Sequence, residues 1–167
     1  MANDLIPSRP APISGEPILT SEMAVSLPTI VIDTNVILDW LVFRDPSSLA
    51  LADAIRHRQV RWVATAAMRL ELAEVLQRGL AAARGADAAA VLTDWDACVD
   101  LCAVPPVQPA ATALRCTDPD DQKFLDLALA TQARWLLSRD RALLRVARRA
   151  ALRGTLISVP QTWTLLS

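Results

Sequence analysis

Apolar and polar positions fall into alternating strand-like and helix-like blocks from residue 29 onward. Thr29-Ile-Val-Ile-Asp33 is a short β-branched run with no polar interruption, the pattern of a strand buried on both faces. A helical period follows over 35–43, and Asp45-Pro46-Ser-Ser opens a second helix reaching about Arg58. Val60–Ala64 reads as the next strand and Ala66–Arg78 as a helix closed by Gly79. Ala86–Cys102 is helical in period, and Val104-Pro-Pro-Val-Gln-Pro109 must be extended, as an edge strand. Asp118-Pro-Asp-Asp121 starts a helix over 120–132, Trp135–Ser138 is a strand, 140–152 a helix, and Thr155–Val159 a last strand. Strands separated by helices of this length predict an α/β fold with a mainly parallel central sheet covered on both faces.

The first 28 residues lack this pattern. They hold five of the eleven prolines and read as a flexible tail ahead of one domain at 29–167. Met23 lies just before the first strand, which makes it a candidate true start. The whole chain has 167 residues, enough for one domain with a sizeable core, and 53% of them are hydrophobic. Neither a spanning segment of ~20 apolar residues nor a secretory leader is apparent, so the expected location is the cytoplasm and not a membrane. Cys98, Cys102 and Cys116 form no CxxC pair, and one histidine, His57, leaves a zinc site short of ligands; buried reduced thiols are expected. A net charge of -1 supplies no global field for a polyanion, so any nucleic-acid chemistry must be local.

Topology brings particular acids together. In an open parallel sheet the ligand site lies beyond the carboxyl ends of the strands. Asp33 ends the first strand and Asp140 follows the strand at 135–138 by two residues. The helix at 66–78 leaves the same edge, with Glu71 about one and a half turns in, and the helix at 120–132 begins there with Asp121. At 100° per residue Asp121 shares the midline of Phe124, Leu125 and Ala128; Glu71 stands at the boundary of its apolar stripe, whereas Glu74 and Asp126 face away. Asp33, Asp118, Asp120 or Asp140 taken singly serves equally as a helix N-cap. Four together repel by several kcal/mol per close pair, and a cation is the simplest remedy. All-oxygen ligands favour Mg²⁺ or Mn²⁺, one ion or two, and hence hydrolysis of a phosphodiester without a serine or histidine nucleophile. Neither a nucleophile elbow nor a phosphate-binding glycine loop is present among only four glycines.

Four segments in order, Val31-Ile-Asp-Thr-Asn-Val-Ile37, Glu71-Leu-Ala-Glu-Val-Leu76, Asp118-Pro-Asp-Asp-Gln-Lys-Phe-Leu125 with Ala128, and Leu137-Ser-Arg-Asp140, resemble the PIN domains. Within that family they are similar to the VapC-like toxin components of toxin–antitoxin pairs. The resemblance implies a three-layer α/β/α sandwich and a Mg²⁺- or Mn²⁺-dependent ribonuclease. It selects Asp33, Glu71, Asp121 and Asp140 as catalytic and metal-holding acids, with Asn35, Ser138 and Asp118 in support. Ser138 stands where the family more often has Thr, which keeps the hydroxyl. It also implies RNA as substrate, homodimers, and inhibition by a small antitoxin chain. Lys123, the only lysine, and Arg139 and Arg141 beside Asp140 are the candidate substrate contacts; six arginines crowd 139–153. The competing expectation is a non-catalytic RNA- or protein-binding module whose acids act as caps.

Overall fold

The computed structural model describes residues 26–80, 82–105 and 114–166. The candidate start at Met23, nearly all of the expected tail, and residues 106–109 of the expected edge strand lie outside them. Five strands form one sheet in the order β3-β2-β1-β4-β5, every pair parallel: β1 Thr29–Ile32, β2 Arg61–Ala64, β3 Asp100–Leu101, β4 Trp135–Leu137 and β5 Leu156–Ser158. Helices α1 Thr34–Leu41, α2 Leu49–Arg56, α3 Ala66–Val75, α4 Ala88–Cys98, α5 Gln122–Ala130, α6 Arg141–Arg145 and α7 Ala147–Ala151 flank it. This is the α/β/α sandwich with a parallel central sheet that the alternation of blocks predicts.

The apolar runs explain the layers. Ile30, Val31 and Ile32 are all buried, as are Trp135, Leu136 and Leu137, so consecutive residues pointing to opposite faces are covered on both. Register places Trp62, Ile30 and Trp135 in one row across the sheet. Trp62 packs between Trp40 of α1 and Trp95 of α4, each with ring centroids 5.9 Å away, and Trp135 meets Trp163 edge-on at 5.5 Å. Such offset pairs add to the burial energy of the rings themselves.

Several boundaries differ from the periodic reading. The helix expected to reach Cys102 stops at Cys98: Val99 is extended, and Asp100 and Leu101 pair with Val63 and Ala64 of β2. The edge-strand place expected for 104–109 is thus taken by β3, because pairing with β2 and the Arg61–Asp100 ion pair at 2.7 Å reward an extended backbone there. The helix expected over 66–78 is α-helical to Val75 and continues as a wider π turn over Leu76–Leu80, where Gly79 adopts φ 89°, a conformation open to glycine at little steric cost. The helix expected over 140–152 breaks at Val146 into α6 and α7.

The fold decides where chemistry can sit. The chain adds β2 and β3 on one side of β1, then crosses over to add β4 and β5 on the other. The strand order therefore reverses between β1 and β4, and the crevice at their carboxyl ends is the site favoured for ligands in open parallel sheets.

Candidate functional site

Register carries the first contact. Ile32 pairs with Leu137, so the next residues, Asp33 and Ser138, lie side by side, and the Asp33 amide donates to the Leu137 carbonyl at 2.9 Å. The Ser138 hydroxyl donates to Asp33 Oδ2 at 2.5 Å and accepts from the Asp140 amide at 2.8 Å. Asn35 Nδ2 donates to the same Asp33 oxygen at 2.5 Å, while Asn35 Oδ1 accepts from the Arg139 amide at 3.2 Å. Both polar residues thus aim Asp33 and stitch β1 to the loop after β4. Asp33 is 4% exposed and Ser138 fully buried. Burial raises the Asp33 pKa and Glu71 adds to the rise, against the lowering effect of the Ser138 and Asn35 bonds.

Asp121 precedes α5 at the same edge. It occupies the N-cap position yet makes no side-chain cap bond, and its Oδ2 is buried without a hydrogen-bond partner. Burial, then the charges of Asp33, Asp140 and Asp118, push its pKa up to about 7; the Asp140 carboxylate is placed to accept from the protonated form. Asp140 behaves differently, because its Oδ1 accepts from the Ala142 amide at 2.5 Å and caps α6. Asp118 accepts from the Asp120 amide at 2.9 Å, a turn contact on an exposed loop.

The remaining candidates divide. Glu71, half-buried on α3, forms an ion pair with Lys123, whose ammonium also donates to the Asp120 carbonyl at 2.6 Å. Glu74 is exposed, as its helical phase predicts. Asp126, expected to face solvent, is half-buried and accepts from Gln122 Nε2 at 2.8 Å. Arg139, expected to face substrate, instead points its guanidinium at α1 and the turn before α2: it pairs with Asp39, reaches Asp45 at 2.9 Å and donates to Ser47 at 3.0 Å. Arg141 is exposed and has no acid partner among the described residues.

Sequence reasoning missed three residues. Asp39 and Asp45 receive Arg139, and Gln122 pins the loop at 114–116 to α5 through bonds to the Leu114 carbonyl at 2.9 Å and from the Cys116 amide at 2.8 Å. Only Gln122 had a signal, its place beside Asp121 in the matching segment. The Arg139 contacts span about a hundred positions, beyond any local pattern.

Residues 29–142, about two-thirds of the chain, match the family model of the PIN domain. The chain belongs to the PIN domain family. None of the curated proteins matches it closely enough to name a relative. PIN domains have a nuclease-type fold and typically use divalent metals. In this PIN domain no three His, Cys, Asp or Glu side chains among the described residues stand gathered to hold a metal ion. The donor chemistry nevertheless fits one. Asp121 offers a buried, unpartnered oxygen, Asp33 and Asp140 raise its pKa by repulsion, and every candidate ligand is a hard carboxylate oxygen. Among the described residues no helix is long and apolar enough to cross a membrane.

Proposed function

We propose that this PIN domain is a divalent-metal-dependent endoribonuclease, and the toxin of a toxin–antitoxin pair. The observation that carries the reading is Asp121, a half-buried carboxylate with a free oxygen that feels the charges of Asp33, Asp140 and Asp118 and has no ion-pair partner among the described residues. Asp33, Asp121 and Asp140, with Glu71, would hold Mg²⁺ or Mn²⁺. When bound, such an ion would ionise a water nucleophile and offset negative charge on the phosphate. The chain's own residues do the rest. Ser138 and Asn35 keep Asp33 in one orientation, so little conformational freedom remains to be given up on binding. Lys123 neutralises Glu71 and lowers the repulsion that an RNA phosphate meets on approach.

Purified protein should cleave RNA with Mg²⁺ or Mn²⁺ and not with EDTA. Asp33→Asn should lower the rate by about 10³-fold, since several kcal/mol of charge stabilisation are at stake, and leave the circular dichroism unchanged. Equal rates for the two proteins would reject the proposal. For the toxin role, induced expression should arrest growth, and a small co-encoded chain should relieve the arrest.

One observation favours the other reading, a non-catalytic binding module: Asp140 caps α6 and Asp118 closes a turn, both as structural aspartates do. Calorimetric titration with Mn²⁺ separates the two, because a module predicts no binding.

A further inference from the structure

The arginines of this chain differ in whether an acid already holds them. Arg56, Arg61, Arg69 and Arg139 each have a carboxylate partner, Asp53, Asp100, Asp96 and Asp39 with Asp45 respectively. Arg149 turns toward the loop before α5 and donates to the Arg115 carbonyl at 3.5 Å. Arg141, Arg145 and Arg148 are exposed and have no acid partner among the described residues. Arg141 and Arg145, four residues apart, lie on one face of α6, and Arg148 follows beyond the break at Val146, on α7. The α6–α7 segment begins beside Asp140 and leads away from the acidic edge toward the start of β5.

Aromatic residues offer no alternative way to grip a strand. All five tryptophans and Phe124 are buried, Phe43 lies half-buried under Arg84, and the chain has no tyrosine. Stacking on tryptophan, tyrosine or phenylalanine, the usual sequence-tolerant contact to single strands, is therefore not offered by the described residues, which leaves phosphate contacts to carry most of the affinity.

We infer that Arg141, Arg145 and Arg148 form the track on which the phosphates of a single-stranded RNA lie as it leads into the acidic site. The inference rests on the ribonuclease reading of that site. Arg139 is excluded from the track because its guanidinium is already engaged by Asp39 and Asp45. Binding along such a row is steeply salt-dependent and nearly indifferent to base identity.

The test uses the full chain and a fluorescein-labelled 20-nucleotide RNA of mixed sequence, followed by anisotropy in EDTA from 20 to 300 mM salt. Arg141→Gln, Arg145→Gln and Arg148→Gln combined should weaken binding at least 10-fold at 100 mM salt. The slope of log affinity against log salt should become shallower by about 2, at ~0.7 for each phosphate that the variant leaves unneutralised. Arg44→Gln, Arg58→Gln and Arg78→Gln combined remove the same charge from exposed positions outside α6 and α7 and should shift the slope by less than half as much. Equal effects of the two triple variants, or no RNA binding by the wild type at 20 mM salt, would overturn the track. Because no metal is present, the result is independent of cleavage. Absence of Mn²⁺-dependent cleavage with a normal track effect would instead count against the nuclease alone.

Discussion

Asp33, Asp121 and Asp140 all stand at helix N-cap positions, yet only Asp140 uses its side chain as a cap. The difference is environmental. Asp33 is turned toward two donors, Asn35 two residues on and Ser138 across the sheet edge, and Asp121 toward other carboxylates. This has a measurable sign. An unfolded aspartate titrates near ~3.9, whereas Asp121 in the fold titrates at about 7, and burial raises Asp33 in the same direction. The stability these groups contribute is complete below the unfolded value and is lost as pH rises through the folded one. Asp45 and Asp96 are shifted down and stay ionised above pH 5, so they do not alter the window. Metal-free protein should therefore melt at lower temperature at pH 8 than at pH 5.5. Solvent screening of the half-buried Asp121 leaves about 1 kcal/mol, or ~2–4 °C. Asp121→Asn should flatten most of this dependence in thermal melts with EDTA; an unchanged profile would mean that the carboxylates are not coupled.

At the scale of elements, one side chain ties three pieces together. Arg139 sits between Ser138 and Asp140 and anchors the loop after β4 to α1 through Asp39 and to the turn before α2 through Asp45 and Ser47. Asp39 is partly desolvated, which raises its pKa against the lowering pull of Arg139. Arg139→Ala would leave that carboxylate without its partner, at a cost of about 2 kcal/mol, below the range for fully buried pairs. Urea denaturation measures it, and adding Asp39→Asn to the variant should recover part of the loss; a cost under ~0.5 kcal/mol would make the tie incidental. Arg139→Lys should recover little, because the planar fork reaches several acceptors at once. Elements were legible from the sequence where burial demands a continuous apolar run, as in β1 and β4. Their ends were less so: β3 takes its shape from β2, and the break at Val146 has no glycine or proline to announce it.

For the whole molecule, charge is partitioned more than its sum of -1 suggests. Asp33 and Asp140 follow β1 and β4 at the switch point, and four exposed arginines without acid partners among the described residues, Arg141, Arg145, Arg148 and Arg149, lie on the segment that starts beside it. Metal binding to the native state would then act on global stability. With Mn²⁺ at 100 times its dissociation constant the gain is ~2.7 kcal/mol, a rise in Tm of several degrees. The rise should be larger at pH 8 than at pH 5.5, since protons compete for the carboxylates, and should vanish in Asp33→Asn. No rise at either pH would oppose the metal reading.

The residue pattern alone determined the order of the strands and helices apart from β3, the parallel sheet, and the acids that its carboxyl edge could collect. Burying both faces of a strand requires apolar runs, and crossovers require helices, so these features are written locally. Only the tertiary structure decided which aspartate caps and which stays free, that Lys123 neutralises Glu71, and that Arg139 serves the scaffold. Those outcomes hang on contacts such as Ser138 to Asp33, 105 positions apart, and on the desolvation that the packed fold imposes.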